Sequence, residues 1–218
     1  MPSIKISVTG LAKFMKASHS RQRSMLRDYK FKTDRFGHKR PQIVRYSEAR
    51  TAIMKYHQSG NDVAVLAAAV AELQKKEAAN PEKDPNRIRD NIRAIQTYMT
   101  YFAKNAFKVL ENPRPKYVHG EVEVSATPEL YVEEDGRRKL IKLDFNAEKP
   151  DEDMVNIILK VMHEAASLAG LGIAPKEVVY LDVARQNQFV GNKLNKRLKQ
   201  DIDAACETIA DIWPKVKQ

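Results

Sequence analysis

The chain has 218 residues, 43% of them hydrophobic. That supports one domain of ordinary size or two small ones and excludes global disorder. The single cysteine, Cys206, excludes an intrachain disulfide and a cysteine-cage metal centre and fits a reducing cytoplasm. The net charge of +10 is unevenly placed: residues 1–50 hold 13 basic and 3 acidic residues, and the other 168 hold 25 of each sign.

Read in order, Ile4 to Ser7 is a short extended piece. Ser7 or Thr9 can then cap a helix carrying Leu11, Phe14 and Met15. The charge excess follows in Arg21, Arg23, Arg27, Lys30, Lys32, Arg35, Lys39, Arg40 and Arg45, interleaved with Tyr29, Phe31, Phe36 and Tyr46. Cations in this density neutralise phosphates, so nucleic acid is the expected partner, DNA in preference to RNA. The rings either stack on unpaired bases or anchor the segment to the core.

Ser47 opens a helix that ends before Gly60, and Asn61 or Asp62 caps an Ala-rich helix from Val63 to about Ala78. Glu72 lies late on that helix. After the Pro81 and Pro85 breakers, Ile88, Ile92, Ile95, Met99, Phe102, Ala106 and Val109 recur at alternating steps of four and three. That spacing predicts one long helix with an apolar seam. Asn112-Pro113 ends it.

Residues 121–146 read as an antiparallel hairpin turning at Asp135-Gly136, a pair suited to positive φ. Pro128 cannot donate to a ladder and marks an edge or bend in the first strand, with Glu129 directly after it. In the second strand, alternation puts Ile141, Leu143 and Phe145 on one face and Lys142, Asp144 and Asn146 on the other. Pro150 to Asp153 starts an amphipathic helix through Leu168. A strand at 177–183 follows, with a short partner at 188–190, and a last helix extends to Ile212 with Trp213 packing it down. No run approaches membrane-spanning length and the N-terminus lacks an apolar signal core, so a cytoplasmic protein without a membrane partner is expected.

Pro128-Glu129 followed by Asp144-Phe145-Asn146 resembles the signature of the PD-(D/E)XK nuclease superfamily. In that signature a Pro-Asp opens the site and an acid-any-Lys triplet on the next strand completes it. The opening phrase Ile6-Ser7-Val8-Thr9 with Leu11 and Phe14 resembles the RecB-type exonuclease branch. The resemblance implies an α/β fold: an N-terminal helical region (1–116) followed by a mixed sheet flanked by helices (117–218), in one body. It implies Glu129 and Asp144 as metal ligands, magnesium as the ion, and a lysine beside them, with Glu72 as a possible further acid. Asn146 stands where the lysine belongs; Lys142, on the same strand face, is the substitute. Three functions follow: nucleic-acid binding by a catalytically degenerate relative, magnesium-dependent nuclease action through Glu129, Asp144 and Lys142, or docking of an acidic protein partner on the basic N-terminus.

Overall fold

The computed structural model describes residues 4–31, 45–82, 84–191 and 196–217. The chain is α/β. Strand β1 (Ile4–Ser7) leads into α1 (Val8–Lys16) and α2 (His19–Phe31). Helices α3 (Ser47–Gln58), α4 (Val63–Ala79) and α5 (Pro85–Tyr101) follow, then strands β2 (Lys108–Val109), β3 (Lys116–His119), β4 (Val122–Ser125), β5 (Leu130–Glu134) and β6 (Arg137–Asp144). Helix α6 (Glu152–Leu168), β7 (Val178–Asp182), β8 (Asn187–Val190) and α7 (Lys196–Ile212) complete it, with a 3-10 turn at Trp213–Lys215.

The strands form two sheets, of order β1-β4-β3 and β2-β5-β6-β7-β8. The hairpin is therefore shorter than expected. It consists of β5 and β6, turning through Asp135 and Gly136 at φ 50° and 73°, both positive as a two-residue hairpin of this hand requires. The preceding run, β4, belongs to the other sheet, where it lies parallel to β1 and antiparallel to β3. Pro128 stands where the chain leaves one sheet for the other. This is the bend that its missing N–H favours. β6 lies parallel to β7, and α6 supplies the crossover such a pair needs.

Alternation along β5, β6 and β7 divides the core in two. Ile141, Leu143 and Phe145 join Leu130, Val179 and Leu181 under helices α3 to α5. Tyr131, Leu140, Val178 and Tyr180 point the other way, into a cluster with α1, α6, α7 and the small sheet. Helix α6 is buried on more than one side: Val155, Leu159 and Ala166 are covered as well as Ile158, Val161 and Met162, whereas Leu168 is exposed.

Helix α5 departs from the expected seam. It ends at Tyr101, and Val109 sits in strand β2 paired with Val132. The buried stripe contains Asn91 and Tyr98, with Ile92 and Met99 only partly covered. Both polar residues are buried because each meets a specific partner. Asn91 Oδ1 accepts from Ala49 N at 2.8 Å, and its Nδ2 donates to the carbonyls of Arg45 (2.7 Å) and Arg87 (2.9 Å). The Tyr98 hydroxyl is 2.6 Å from His57 Nε2, and His57 Nδ1 is 2.6 Å from Asn61 Oδ1. An amide oxygen only accepts, so Nδ1 carries the proton and Nε2 accepts from Tyr98.

Burial holds His57 below the usual imidazole range, as it does His163. A base with a depressed folded pKa is protonated first in the unfolded chain. Stability is thus intact above the unfolded value of about 6.5 and falls as pH drops toward the folded values. The unfolding midpoint in urea is expected to decrease from pH 7 to pH 5, at no more than about 1.4 kcal/mol per pH unit for each histidine. A midpoint that is flat or rises on acidification contradicts this assignment.

Candidate functional site

The start of β5 and the end of β6 bring the expected residues together. Glu129 N donates to the carbonyl of Ile141, the residue that Leu130 pairs with, at 3.0 Å, and Glu129 thereby lies alongside the end of β6. Lys142 Nζ lies 2.8 Å from Glu129 Oε1, and Leu143 N donates to Glu129 Oε2 at 3.1 Å. The side chains are only 17% and 13% exposed, so this is a largely desolvated ion pair. Arg50 of α3 adds a second cation, its Nε 3.5 Å from Glu129 Oε1 and its guanidinium over the Phe145 ring at 5.5 Å.

Asp144 occupies the next position on the same face. Its Oδ2 accepts from the Tyr180 hydroxyl at 2.6 Å, and its Oδ1 accepts from the backbone and side-chain nitrogens of Asn146. Parallel pairing sets Lys142 beside Tyr180 and Asp144 beside Asp182. Burial, and then the bond to Asp144, drive the Tyr180 phenol far above its ordinary range. Asp182 is 1% exposed; its Oδ1 accepts from Arg185 N at 3.1 Å. Its Oδ2 makes no hydrogen bond and faces Arg185 Nη1 at 3.5 Å. Burial raises the Asp182 carboxyl, with the neighbouring Asp144 charge acting in the same direction. The Arg185 guanidinium donates to the carbonyls of Asn146, Ala147 and Glu148, tying the end of β6 to the β7–β8 turn.

Tyr180, Asp182, Arg185 and Arg50 were not singled out by sequence. The alternation of Val178, Tyr180 and Asp182 was visible, but their meeting with β6 depends on a long-range register.

A magnesium ion held by Glu129 and Asp144 would have to compete with bonds made inside the protein. All four carboxylate oxygens of Glu129 and Asp144 already accept from protein donors, one of them from an ammonium. Among the described residues, no three of His, Cys, Asp and Glu group to hold a metal. Glu72 belongs elsewhere: its carboxylate pairs with Lys76 at 2.6 Å, is 67% exposed, and lines a groove between α3 and α4.

The basic residues fall into three groups. Arg21, Arg23 and Arg27 are exposed on α2 and make no ion pair among the described residues. Lys30 and Arg45 make contacts within the fold. Lys30 Nζ donates to Trp213 O (2.8 Å) and Val216 O (3.0 Å), and Arg45 Nε donates to Asp90 at 2.8 Å. Lys32, Arg35, Lys39 and Arg40 lie outside the described residues, as does Phe36. Of the interleaved rings, Tyr29 and Phe31 pack on the core, and Tyr46 stacks on Phe145 with centroids 5.2 Å apart. They are anchors.

Helix α2 is fastened in a way that turns its arginines outward. Leu26 is buried, and Gln22 Nε2 donates to Phe14 O at 3.0 Å. Tyr29 lies so close over α1 that a Cβ at Gly10 would fall 1.9 Å from its hydroxyl. Any larger residue there would displace the Tyr29 ring.

Cys206 is buried, and burial pushes its thiol up to about 12, leaving it without thiolate reactivity at neutral pH. No helix among the described residues is long and apolar enough to cross a membrane. Compared with protein-family models and with curated proteins, the chain matches none.

Proposed function

We propose that this chain is a nucleic-acid-binding protein on a PD-(D/E)XK-like core whose acid centre is closed by its own ion pairs. The observation that carries the reading is the outward face of α2, where Arg21, Arg23 and Arg27 stand exposed with no carboxylate partner among the described residues. Unpaired guanidiniums on a fixed helix favour a polyanion, because each phosphate neutralised releases condensed counterions. The closed centre supports binding without cleavage: Lys142 is held by Glu129 and is not poised over a phosphate, and Asn146 brings no charge. Contacts of this kind position a backbone and do not read sequence.

The test is a salt titration of duplex DNA binding. The wild type is expected to bind with a steep salt dependence. Replacing Arg21, Arg23 and Arg27 with Gln should lower the log–log slope by about 2.7, at roughly 0.9 per lost phosphate contact. No affinity of the wild type at low salt for either duplex or single-stranded nucleic acid refutes nucleic-acid binding and leaves an acidic protein partner. Magnesium-dependent cleavage by the wild type, lost on Lys142→Ala or Asp144→Ala, refutes the closed centre and restores the nuclease.

A further inference from the structure

The face of α2 opposite its buried side carries Ser20, Arg23, Ser24 and Arg27, at i, i+3, i+4 and i+7, which is one stripe of a helix. Across from it runs the C-terminal segment, with Lys215 and Lys217 flanking Val216. The two enclose a groove of about 450 Å³. Among the described residues its lining contains four cations and two hydroxyls and no carboxylate, and it shares none of them with the Glu129–Asp144 centre. None of Arg23, Arg27, Lys215 and Lys217 forms an ion pair among the described residues. The second wall is held in place by Lys30, whose ammonium binds the carbonyls of Trp213 and Val216 on either side of Lys215. Four like charges around one groove repel each other, so an anion bound there relieves a cost already present in the fold.

Resting on the nucleic-acid reading above, we infer that this groove is the seat for the sugar–phosphate backbone of a single strand. Arg23 and Arg27 are four residues apart, about 6 Å along the helix, which suits successive phosphates on one strand. Lys215 and Lys217 close on the same phosphates from the other side. Ile212 and Val216 give the floor an apolar strip for the sugar. No aromatic ring lines the groove among the described residues, which offer no stacking platform for a base, and recognition is of the backbone.

The experiment measures fluorescence anisotropy of a labelled oligothymidylate and of an abasic sugar–phosphate oligomer of equal length, over a range of salt. The proteins are the wild type, Arg23→Gln/Arg27→Gln and Lys215→Gln/Lys217→Gln. All four changes are at the surface, and circular dichroism checks the fold. Each double variant is expected to bind oligothymidylate about tenfold more weakly and to lose about 1.4 from the salt slope, at roughly 0.7 per contact for a single strand. Abasic binding within about threefold of oligothymidylate supports backbone recognition. Lys215→Gln/Lys217→Gln with unchanged affinity and slope, while the arginine variant fails, overturns the groove and leaves α2 binding intact. Abasic binding weaker by tenfold or more overturns the backbone assignment. Absence of wild-type binding to any oligonucleotide at low salt removes the groove together with the reading it rests on.

Discussion

Replacing Lys142 with alanine is expected to destabilise the protein by about 3 kcal/mol, the usual result of removing one partner from a buried ion pair. Glu129 would keep Leu143 N at 3.1 Å and Arg50 at 3.5 Å, but the Arg50 Nε makes no hydrogen bond in its present position. The carboxylate would then be desolvated with only partial compensation. Changing both residues, as Glu129→Leu/Lys142→Met, removes the two charges together. It should come within about 1 kcal/mol of the wild type, because the desolvation cost disappears along with the attraction. Urea denaturation with a constant m-value measures both, and the non-additivity of Glu129→Ala and Lys142→Ala gives the coupling. A Lys142→Ala loss below about 0.5 kcal/mol would mean that the pair behaves as a surface contact. The same pair predicts a functional result. With every oxygen of Glu129 and Asp144 engaged by a protein donor, excess magnesium should leave the thermal midpoint unchanged, since a ligand raises it only by binding the folded state. Asn146→Lys restores the acid-any-Lys pattern but leaves Glu129 pinned. Magnesium-dependent cleavage should therefore require Lys142 to be replaced as well, and cleavage by Asn146→Lys alone would show that Lys142 does not block the centre.

A loss of similar size is expected for Asn91→Leu, again about 3 kcal/mol. Helix α3 has no side-chain cap of its own: Tyr46 precedes it without a capping bond, and the Ser47 hydroxyl donates to Glu48. Asn91 supplies that cap from α5, accepting from Ala49 N, one of the free N–H groups of the first turn. Leucine fills nearly the same volume but leaves the Ala49 N–H and the Arg45 carbonyl unpaired in the core, each at roughly 1–3 kcal/mol. Asn91→Asp should be worse still at neutral pH, because it turns an acceptor toward the Arg45 carbonyl. Its deficit should shrink on acidification, when the protonated acid can donate. Urea midpoints at pH 7 and pH 4 for Asn91→Leu, Asn91→Asp and the wild type test this. Equal midpoints for Asn91→Leu and the wild type would show that the α3 terminus has another partner.

What the sequence determined by itself is local and periodic. Ser7, Asp62 and Asp151 cap α1, α4 and α6 through their own side chains, two or three residues upstream of the groups they bind. Asp135-Gly136 turns the hairpin, and the period of two in β6 decided that Ile141, Leu143 and Phe145 would share a face. None of these depends on a distant residue.

The tertiary structure decided which elements met. β4 has the alternation of a hairpin strand, yet it pairs with β1, more than a hundred residues earlier, because strand pattern specifies a face and not a partner. Val109 continued a helical seam by spacing, but strand β5 offered it a ladder. Asn91 and Tyr98 were hidden from a reading by hydrophobicity because a polar side chain is buried only when its partner is present, and theirs come from α3. Charge obeys the same logic. Arg23, Lys30 and Arg45 look alike in sequence. On folding, Lys30 binds two carbonyls, Arg45 finds Asp90, and Arg23 faces Lys215 and Lys217 across a groove with no carboxylate among the described residues. Net charge is a property of composition, but whether a cation is spent within the fold or left for a ligand depends on what packing brings within a few ångströms of it.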